Sequence, residues 1–404
     1  MGRSGRVRDR HRADRPRRRP PARSEADERS GAVKGLDATL GARPIDAGPR
    51  PRRGDHAVSF FEYWPGWLFY TPIVLQWMAL GLRHGDMSLP TAANPRIETG
   101  GLCGESKSAI LDQLAPPQRH WLAPFTVFAV GENPARHLAE AEQRMHEAGL
   151  DYPLVVKPDI GCNGAGVRLL RGTDDLLRYL REFPAHLRVM LQEFVSYEGE
   201  AGLFYVRHPD QRRGRITSMT LKSSPVVVGD GRSTLRSLIL AHPRAGHVPQ
   251  LYFPRLADRL DSVPASGEHV ALVFVGNHCK GATFENGADH VTEELTQRID
   301  EIAQAIPDFY FGRFDVRFRS LPELRRGTGF TLIEVNGVGS EATHIWDPRT
   351  TLAQAYAAQF FHYRAAFEIG RKNRAAGHRT SGLRAMIRLW RLQKRVLAAY
   401  PLND

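Results

Sequence analysis

The chain has 404 residues, 42% apolar and 25% charged, a balance that excludes a wholly disordered, fibrous or multi-spanning protein and suits two or three domains. The net charge is +12, but residues 1–53 hold 16 Lys/Arg against 7 Asp/Glu, so the remainder is only slightly basic and charge says little about its ligand. Three scattered cysteines, Cys103, Cys162 and Cys279, exclude a disulfide framework and a thiolate zinc site and suit a reducing, cytoplasmic compartment.

Residues 1–56, rich in Arg, Pro, Gly and Ala, read as a disordered tail. No apolar run follows closely enough for a secretory signal. The tail is either an arm for nucleic acid or anionic lipid, or a dispensable extension or an upstream start. An aromatic-rich region spans 57–120. Within it, 58–82 (VSFFEYWPGWLFYTPIVLQWMALGL) is the most apolar stretch of the chain. Glu62, Pro65, Pro72 and Gln76 interrupt it, and a spanning helix needs about 20 apolar residues. A buried or an interfacial element is favoured over a span, with the first two left open.

From about residue 120 short β-rich runs alternate with helical ones. Strands are expected at 153–157, 167–170, 188–195, 202–207, 216–222, 270–275, 310–318 and 330–336. Helices are expected at 134–148, 173–182, 233–241, 290–306 and 351–373. The mixture points to an α+β or mixed α/β fold. Residues 376–404 carry a basic amphipathic helix at 383–400. Its Leu383, Ile387, Trp390, Lys394 and Leu397 fall at helical spacing, to lie on a membrane surface or to dock back on the domain, docking being slightly favoured.

Four segments carry chemistry. In 330–336 (FTLIEVN) alternation puts Glu334 and Asn336 on one face. In 309–318 (FYFGRFDVRF) it puts Arg313, Asp315 and Arg317 on one face, with Phe314 and Val316 on the other. If these strands are neighbours, three oxygen ligands converge beside a guanidinium, a sparse site of the kind Mg²⁺ completes with phosphate oxygens. In 153–167 (PLVVKPDIGCNGAGV) Lys157 ends a β-run before Gly161, Gly164 and Gly166, whose backbone N–H groups can wrap phosphate. The spacing is not that of a Walker loop. The run VMLQEFVSYEGE turns polar at Glu200, and Lys222 closes ITSMTLK. Taken singly, each has a bland reading as a solvated strand end or a glycine turn.

Together, in this order and spacing, the segments resemble the ATP-grasp superfamily, and within it the D-alanine–D-alanine ligase-like carboxylate–amine ligases, from about Gly104 to Asp347. The resemblance implies two α+β subdomains clasping ATP, an ATP-grasp domain over 121–375. It makes Lys107, Lys157 and Lys222 phosphate-binding lysines and Gly161, Gly164 and Gly166 the flexible phosphate loop. Gln192, Glu193 and Val195 become the adenine hinge, Glu200 the ribose acid and Ile333 a nucleotide neighbour. Asp315, Glu334 and Asn336 become ligands of Mg²⁺ or Mn²⁺, and Arg313, with Lys222, a catalytic cation. Gly337, Gly339 and Ser340 match the turn that meets substrate. The roughly hundred-residue Rossmann-like half of D-alanine ligases has no counterpart here, and TLKSSP lacks the usual tyrosines, so D-alanine specificity does not carry over.

The implied chemistry is ADP-forming ligation: a carboxylate attacks the γ-phosphoryl group of ATP, and an amine or similar nucleophile displaces phosphate from the acyl phosphate. His278 and His344 are candidates to take the proton in the second step. The alternatives are an ATP-grasp phosphoryl transferase with a different acceptor, or a membrane- or nucleic-acid-binding protein with a vestigial ATP site. Expected partners are small carboxylate and amine substrates, with peripheral membrane contact through 58–82 or 383–400 and a homo-oligomer left open, and no specific nucleic acid.

Overall fold

Alternating apolar and polar residues form most of the strands, and the apolar member of each pair fills a core. The computed structural model describes residues 58–274 and 281–401; the 1–56 arm and His278 lie outside them. The strands are β1 (Phe125–Ala129), β2 (Leu154–Pro158), β3 (Arg168–Leu170), β4 (Arg188–Glu193), β5 (Gly199–Val206), β6 (Arg215–Ser223), β7 (Val226–Val228), β8 (His269–Ala271), β9 (Thr283–Asn286), β10 (Phe311–Phe318) and β11 (Phe330–Asn336). The helices are α1 (Gly66–His84), α2 (Lys107–Leu111), α3 (Pro134–Glu147), α4 (Thr173–Glu182), α5 (Leu235–Ala241), α6 (Glu293–Gln304), α7 (Leu321–Arg325), α8 (Leu352–Ala375) and α9 (Gly382–Leu397).

Two antiparallel sheets dominate, and the fold is α+β. A four-stranded sheet runs β1-β4-β2-β3, and α3 and α4 cover it through Met145, Leu176 and Leu180. A five-stranded sheet runs β11-β10-β5-β6-β9. One of its faces buries Leu203, Tyr205, Phe314 and Val316 against Leu295, Ile299 and Ile302 of α6. Its other face is divided. Phe204, Val206 and Phe311 pack on Ala365, Ala366 and Ile369 of α8, while the end bearing Glu200, Lys222 and Asp315 lines a cavity. The pair β7–β8 and α5 form a satellite core around Val227, Ile239 and Tyr252.

The apolar segment 58–82 becomes helical only after Pro65, and it is neither wholly buried nor wholly free. Phe69 and Ile73 are buried, and Trp77 meets Phe367 of α8 edge-on at 5.1 Å between ring centroids. The opposite side of α1 faces solvent. Among the described residues no helix is long and apolar enough to cross a membrane. Just before α1, the fully buried Glu62 carboxylate pairs with Arg244, which also donates to the Ala282 carbonyl at 3.2 Å. This joins the N-terminal segment to the satellite core.

Helix α9 docks, though not through the stripe expected from the sequence. Leu389 and Val396 are buried, while Leu383, Ile387 and Trp390 stay exposed. The expected strand 270–275 is shorter, ending at Ala271, and β1, β7 and β9 were not anticipated. These last are runs of three to five residues, too short to display a period.

Candidate active site

The centre of the cavity is built by strand register. On β10, Asp315 lies opposite Glu334 of β11 and Gly202 of β5, and Arg313 lies opposite Asn336. The register of β11 slips between the partners of Asp315 and Val316, so Ile333 has no partner of its own. A bulge of this kind breaks alternation. It lets Ile333 and Glu334, though adjacent, both line the cavity. Gly202 leaves the space that the cluster fills: a Cβ there would come within 3.1 Å of both Asp315 Oδ1 and Arg313 Cδ.

Asp315 is buried and holds two cations. Lys222 Nζ donates to its Oδ1 at 2.7 Å, and Arg313 grips it with Nε and Nη2, each at 3.0 Å. Burial alone would raise the Asp315 pKa, but Arg313 and Lys222 outweigh it and hold the carboxyl down at about 2. Burial likewise disfavours the Lys222 ammonium, and Asp315 and Glu200 overcome it, raising its pKa. Glu200 accepts from Lys222 at 3.2 Å and faces Arg317 at 3.7 Å. Arg313 Nη1 donates onward to the Glu341 carbonyl at 3.0 Å.

The second wall carries the remaining lysines. Lys107 Nζ donates to the Gly161 carbonyl in the glycine loop and lies 3.5 Å from Glu334. Lys157 Nζ donates to the bulged Ile333 carbonyl at 3.2 Å, which ties the four-stranded sheet to β11. Its burial pushes the ammonium pKa down, with Glu334 opposing. Asp159 sets the position of Lys107. Its carboxylate accepts from Ser106 Oγ at 2.8 Å and Ser108 N–H at 2.9 Å, and its carbonyl accepts from the Lys107 N–H at 2.9 Å. Glu105 lines the cavity with Oε2 buried and unpartnered among the described residues, and burial raises its pKa.

Most of the expected residues meet here. A cavity of about 530 Å³ is lined by Lys107, Lys157, Gly161, Gly164, Gln192, Glu193, Val195, Glu200, Lys222, Arg313, Asp315, Ile333, Glu334, Asn336, Gly339 and Ser340. Gly166 and Gly337 do not line it. Gly337 instead packs on backbone: a Cβ on Gly101 would stand 2.6 Å from Gly337 Cα, and Val338 and Gly339 N–H donate to the Gly100 and Gly101 carbonyls. His344 is also elsewhere. Its Nδ1 pairs with Ser218 Oγ at 2.7 Å, and it lines a separate cavity of about 350 Å³ with Asp347 and Arg349. The imidazole does not line the larger cavity, and burial lowers its pKa.

Other lining residues, Glu341 among them, which the sequence left open as a candidate for the second step, follow from no shared spacing. Glu341 accepts from Tyr70 Oη at 3.0 Å, from Trp346 Nε1 at 2.7 Å and from Gln359 Nε2. This places a carboxylate in an aromatic-lined end of the cavity. Gln393 of α9 also lines the cavity, and its Oε1 accepts from Gly104 N–H at 2.7 Å. These groups come from positions 70, 341 and 393, which no local pattern links.

The donor set of Asp315, Glu334 and Asn336 is all oxygen, which fits a hard divalent cation. Among the described residues no three His, Cys, Asp or Glu side chains gather into a metal cage. The cation would compete for Asp315 with Lys222, with Arg313 and with the Asn336 amide, which donates to Asp315 Oδ2 at 3.1 Å.

No family model and no curated protein matches the sequence. The chain is similar to the solved structure of a bifunctional glutathione synthetase from Pasteurella multocida, at 18% identity over 63% of this chain and 35% of that one, with a TM-score of 0.32. It is similar to the VanG D-Ala:D-Ser ligase from Enterococcus faecalis, at 14% identity over 66% and 63%, TM-score 0.36. It is also similar to D-alanine–D-alanine ligase from Bacillus anthracis, at 13% identity over 70% and 71%, TM-score 0.37. The chain thus spans about a third of the first of these proteins and just under two thirds of the second. A sheet followed by a glycine loop and a sheet with a carboxylate pair on adjacent strands thus border one cavity.

Proposed function

We propose that this chain is an ATP- and Mg²⁺-dependent ligase that joins a carboxylate to an amine or similar nucleophile through an acyl phosphate and releases ADP. The observation that carries this reading is the convergence of Lys107, Lys157 and Lys222 with Asp315, Glu334 and Asn336 on one cavity. Asp315, Glu334 and Asn336 would hold Mg²⁺ or Mn²⁺, which when bound neutralises the terminal phosphates. Lys157, buried against a carbonyl, gains most from an arriving phosphate. Lys107, tied to Gly161, brings its charge and the glycine loop to the same anion. Gln192, Glu193 and Val195 line the end of the cavity that would receive adenine, with Glu200 for ribose. Arg313 is locked by Asp315 and Glu341, so its guanidinium is preorganised for the acyl oxygen as charge develops there. Glycine-loop closure over 161–166 would keep water from the acyl phosphate. The end containing Tyr70, Glu341 and Trp346 is where the substrates would be told apart.

The test is Mg²⁺-dependent ADP release by the full chain across mixtures of small carboxylates and amines, with mass analysis of the products. Glu334→Gln should lower turnover by about 10²–10³-fold, the usual loss for one preorganised electrostatic group. Undiminished turnover would remove the metal assignment. A stable phosphorylated product in place of an amide would assign phosphoryl transfer instead.

A further inference from the structure

Helix α9 has three sides. Leu389, Gln393 and Val396 face the protein. Leu383, Ile387 and Trp390 point outward at 54%, 41% and 49% exposure. Beyond them Arg384, Arg388, Arg391 and Arg395 are all exposed. Residues 369–401 contain nine Lys/Arg and no Asp or Glu, although the chain after residue 53 is close to neutral. Lys394 Nζ sits 4.1 Å from the Trp390 ring centroid, at the seam between the apolar and basic sides.

Helix α1 supplies a second apolar stripe. Trp67, Leu75, Met78 and Leu82 are exposed, Trp67 and Leu82 to more than 70%, and the helix contains no acidic residue. The two helices adjoin. Asp86, just past the end of α1, accepts from Thr380 Oγ1 at 3.1 Å and faces Arg374 at 3.5 Å, and Ser381 N–H donates to Thr91 Oγ1 at 2.9 Å. The C-terminal end of α1 and the N-terminal end of α9 therefore lie near each other. Seven large apolar side chains, Trp67, Leu75, Met78, Leu82, Leu383, Ile387 and Trp390, thus stand exposed on two neighbouring helices, and apolar surface in such quantity marks an interaction site.

We propose that the outward side of α1 and α9 docks on an anionic lipid bilayer, with the apolar stripes in the headgroup layer and the arginines on lipid phosphates. An apolar stripe flanked by basic residues is the pattern of an interfacial helix. Neither helix is long and apolar enough to span. A nucleic acid would use the arginines and leave Leu82, Leu383 and Ile387 in water. A second copy meeting this one symmetrically would set the basic side of α9 against itself. The excess of basic residues in 1–53 would add to the attraction.

The experiment is pelleting of the full chain with sucrose-loaded vesicles of phosphatidylcholine alone or mixed equally with phosphatidylglycerol. Sedimentation with the anionic vesicles, weakened by salt, is expected, with little on phosphatidylcholine. Arg388→Gln with Arg391→Gln should weaken partitioning roughly 25-fold, about fivefold per charge. Ile387→Ser with Trp390→Ser, and separately Leu75→Ser with Leu82→Ser, should also weaken it. All are exposed, and unchanged circular dichroism and melting would establish that they fold. Three results would overturn the proposal: no sedimentation with either vesicle, equal sedimentation of wild type and all variants, or binding of duplex DNA with none of vesicles. None of these readouts involves ATP, so the ligase reading stands or falls separately.

Discussion

At the scale of single residues, the cleft is a set of charges held in each other's fields. Asp315 is satisfied by two cations, whereas among the described residues Lys157 has a carbonyl at hydrogen-bond distance and no carboxylate. Burial lowers its pKa, so the folded protein binds this proton less tightly than the unfolded chain does. Stability therefore rises with pH between the depressed value and the ordinary one near 10.5. On the proposed function, phosphate binding needs the charged form, so ATP affinity should fall as pH rises through the depressed value. Lys157→Arg keeps its charge, and calorimetric titration across pH should show the alkaline loss of affinity shifted upward or absent. An unmoved alkaline limb would assign that titration to another group. Alternation made Arg313, Asp315, Glu334 and Asn336 legible in the sequence, because each strand has one core face and one cavity face. It could not reveal that Ile333 joins them, since a bulge is a property of two strands together.

At the scale of elements, close approach between backbones decides where glycines stand. The turn after β11 runs against residues 100–102, and a Cβ on Gly337 would collide with the Gly100 carbonyl oxygen. The sequence suggested Gly337 as a substrate contact; its position explains it by packing. Gly337→Ala should therefore destabilise the protein by about 1–3 kcal/mol, as over-packing does, measurable by chemical denaturation. Full stability with lost activity would return it to a substrate role. Glu62 acts at the same scale. Glu62→Gln breaks a buried ion pair and should cost about 3–5 kcal/mol, while adding Arg244→Met should restore much of the loss. In the sequence Glu62 only interrupts an apolar run, because its partner lies 182 residues away.

At the scale of the whole molecule, α9 joins cleft and surface. Gln393 reaches Gly104, Tyr400 Oη donates to the Ile160 carbonyl at 2.6 Å, and the Tyr400 ring stacks on Phe183 at 5.3 Å. The C-terminal segment thus braces the glycine loop from behind. Removing residues 382–404 should speed proteolytic cleavage within 159–167 and raise the KM for ATP more than it lowers kcat. Unchanged cleavage and kinetics would mean that the loop keeps its position without the brace.

Local order is what the sequence by itself determined. The α+β class, the strands carrying Lys157, Lys222, Asp315 and Glu334, and the helix at 383–400 follow from periodicities that neighbouring residues impose on one another. Long-range encounters were decided only in three dimensions. Asp159 positions Lys107, Glu341 gathers Tyr70, Trp346 and Gln359, and Gln393 enters the cleft, while His344 turns away to Ser218. None of these follows from spacing, because the energy that selects them comes from burying groups far apart in the chain against each other. The same reason explains α9. Its sequence shows which residues share a side, but only the competition among buried surfaces decides that Leu389 and Val396 turn inward and Trp390 is left to face outward.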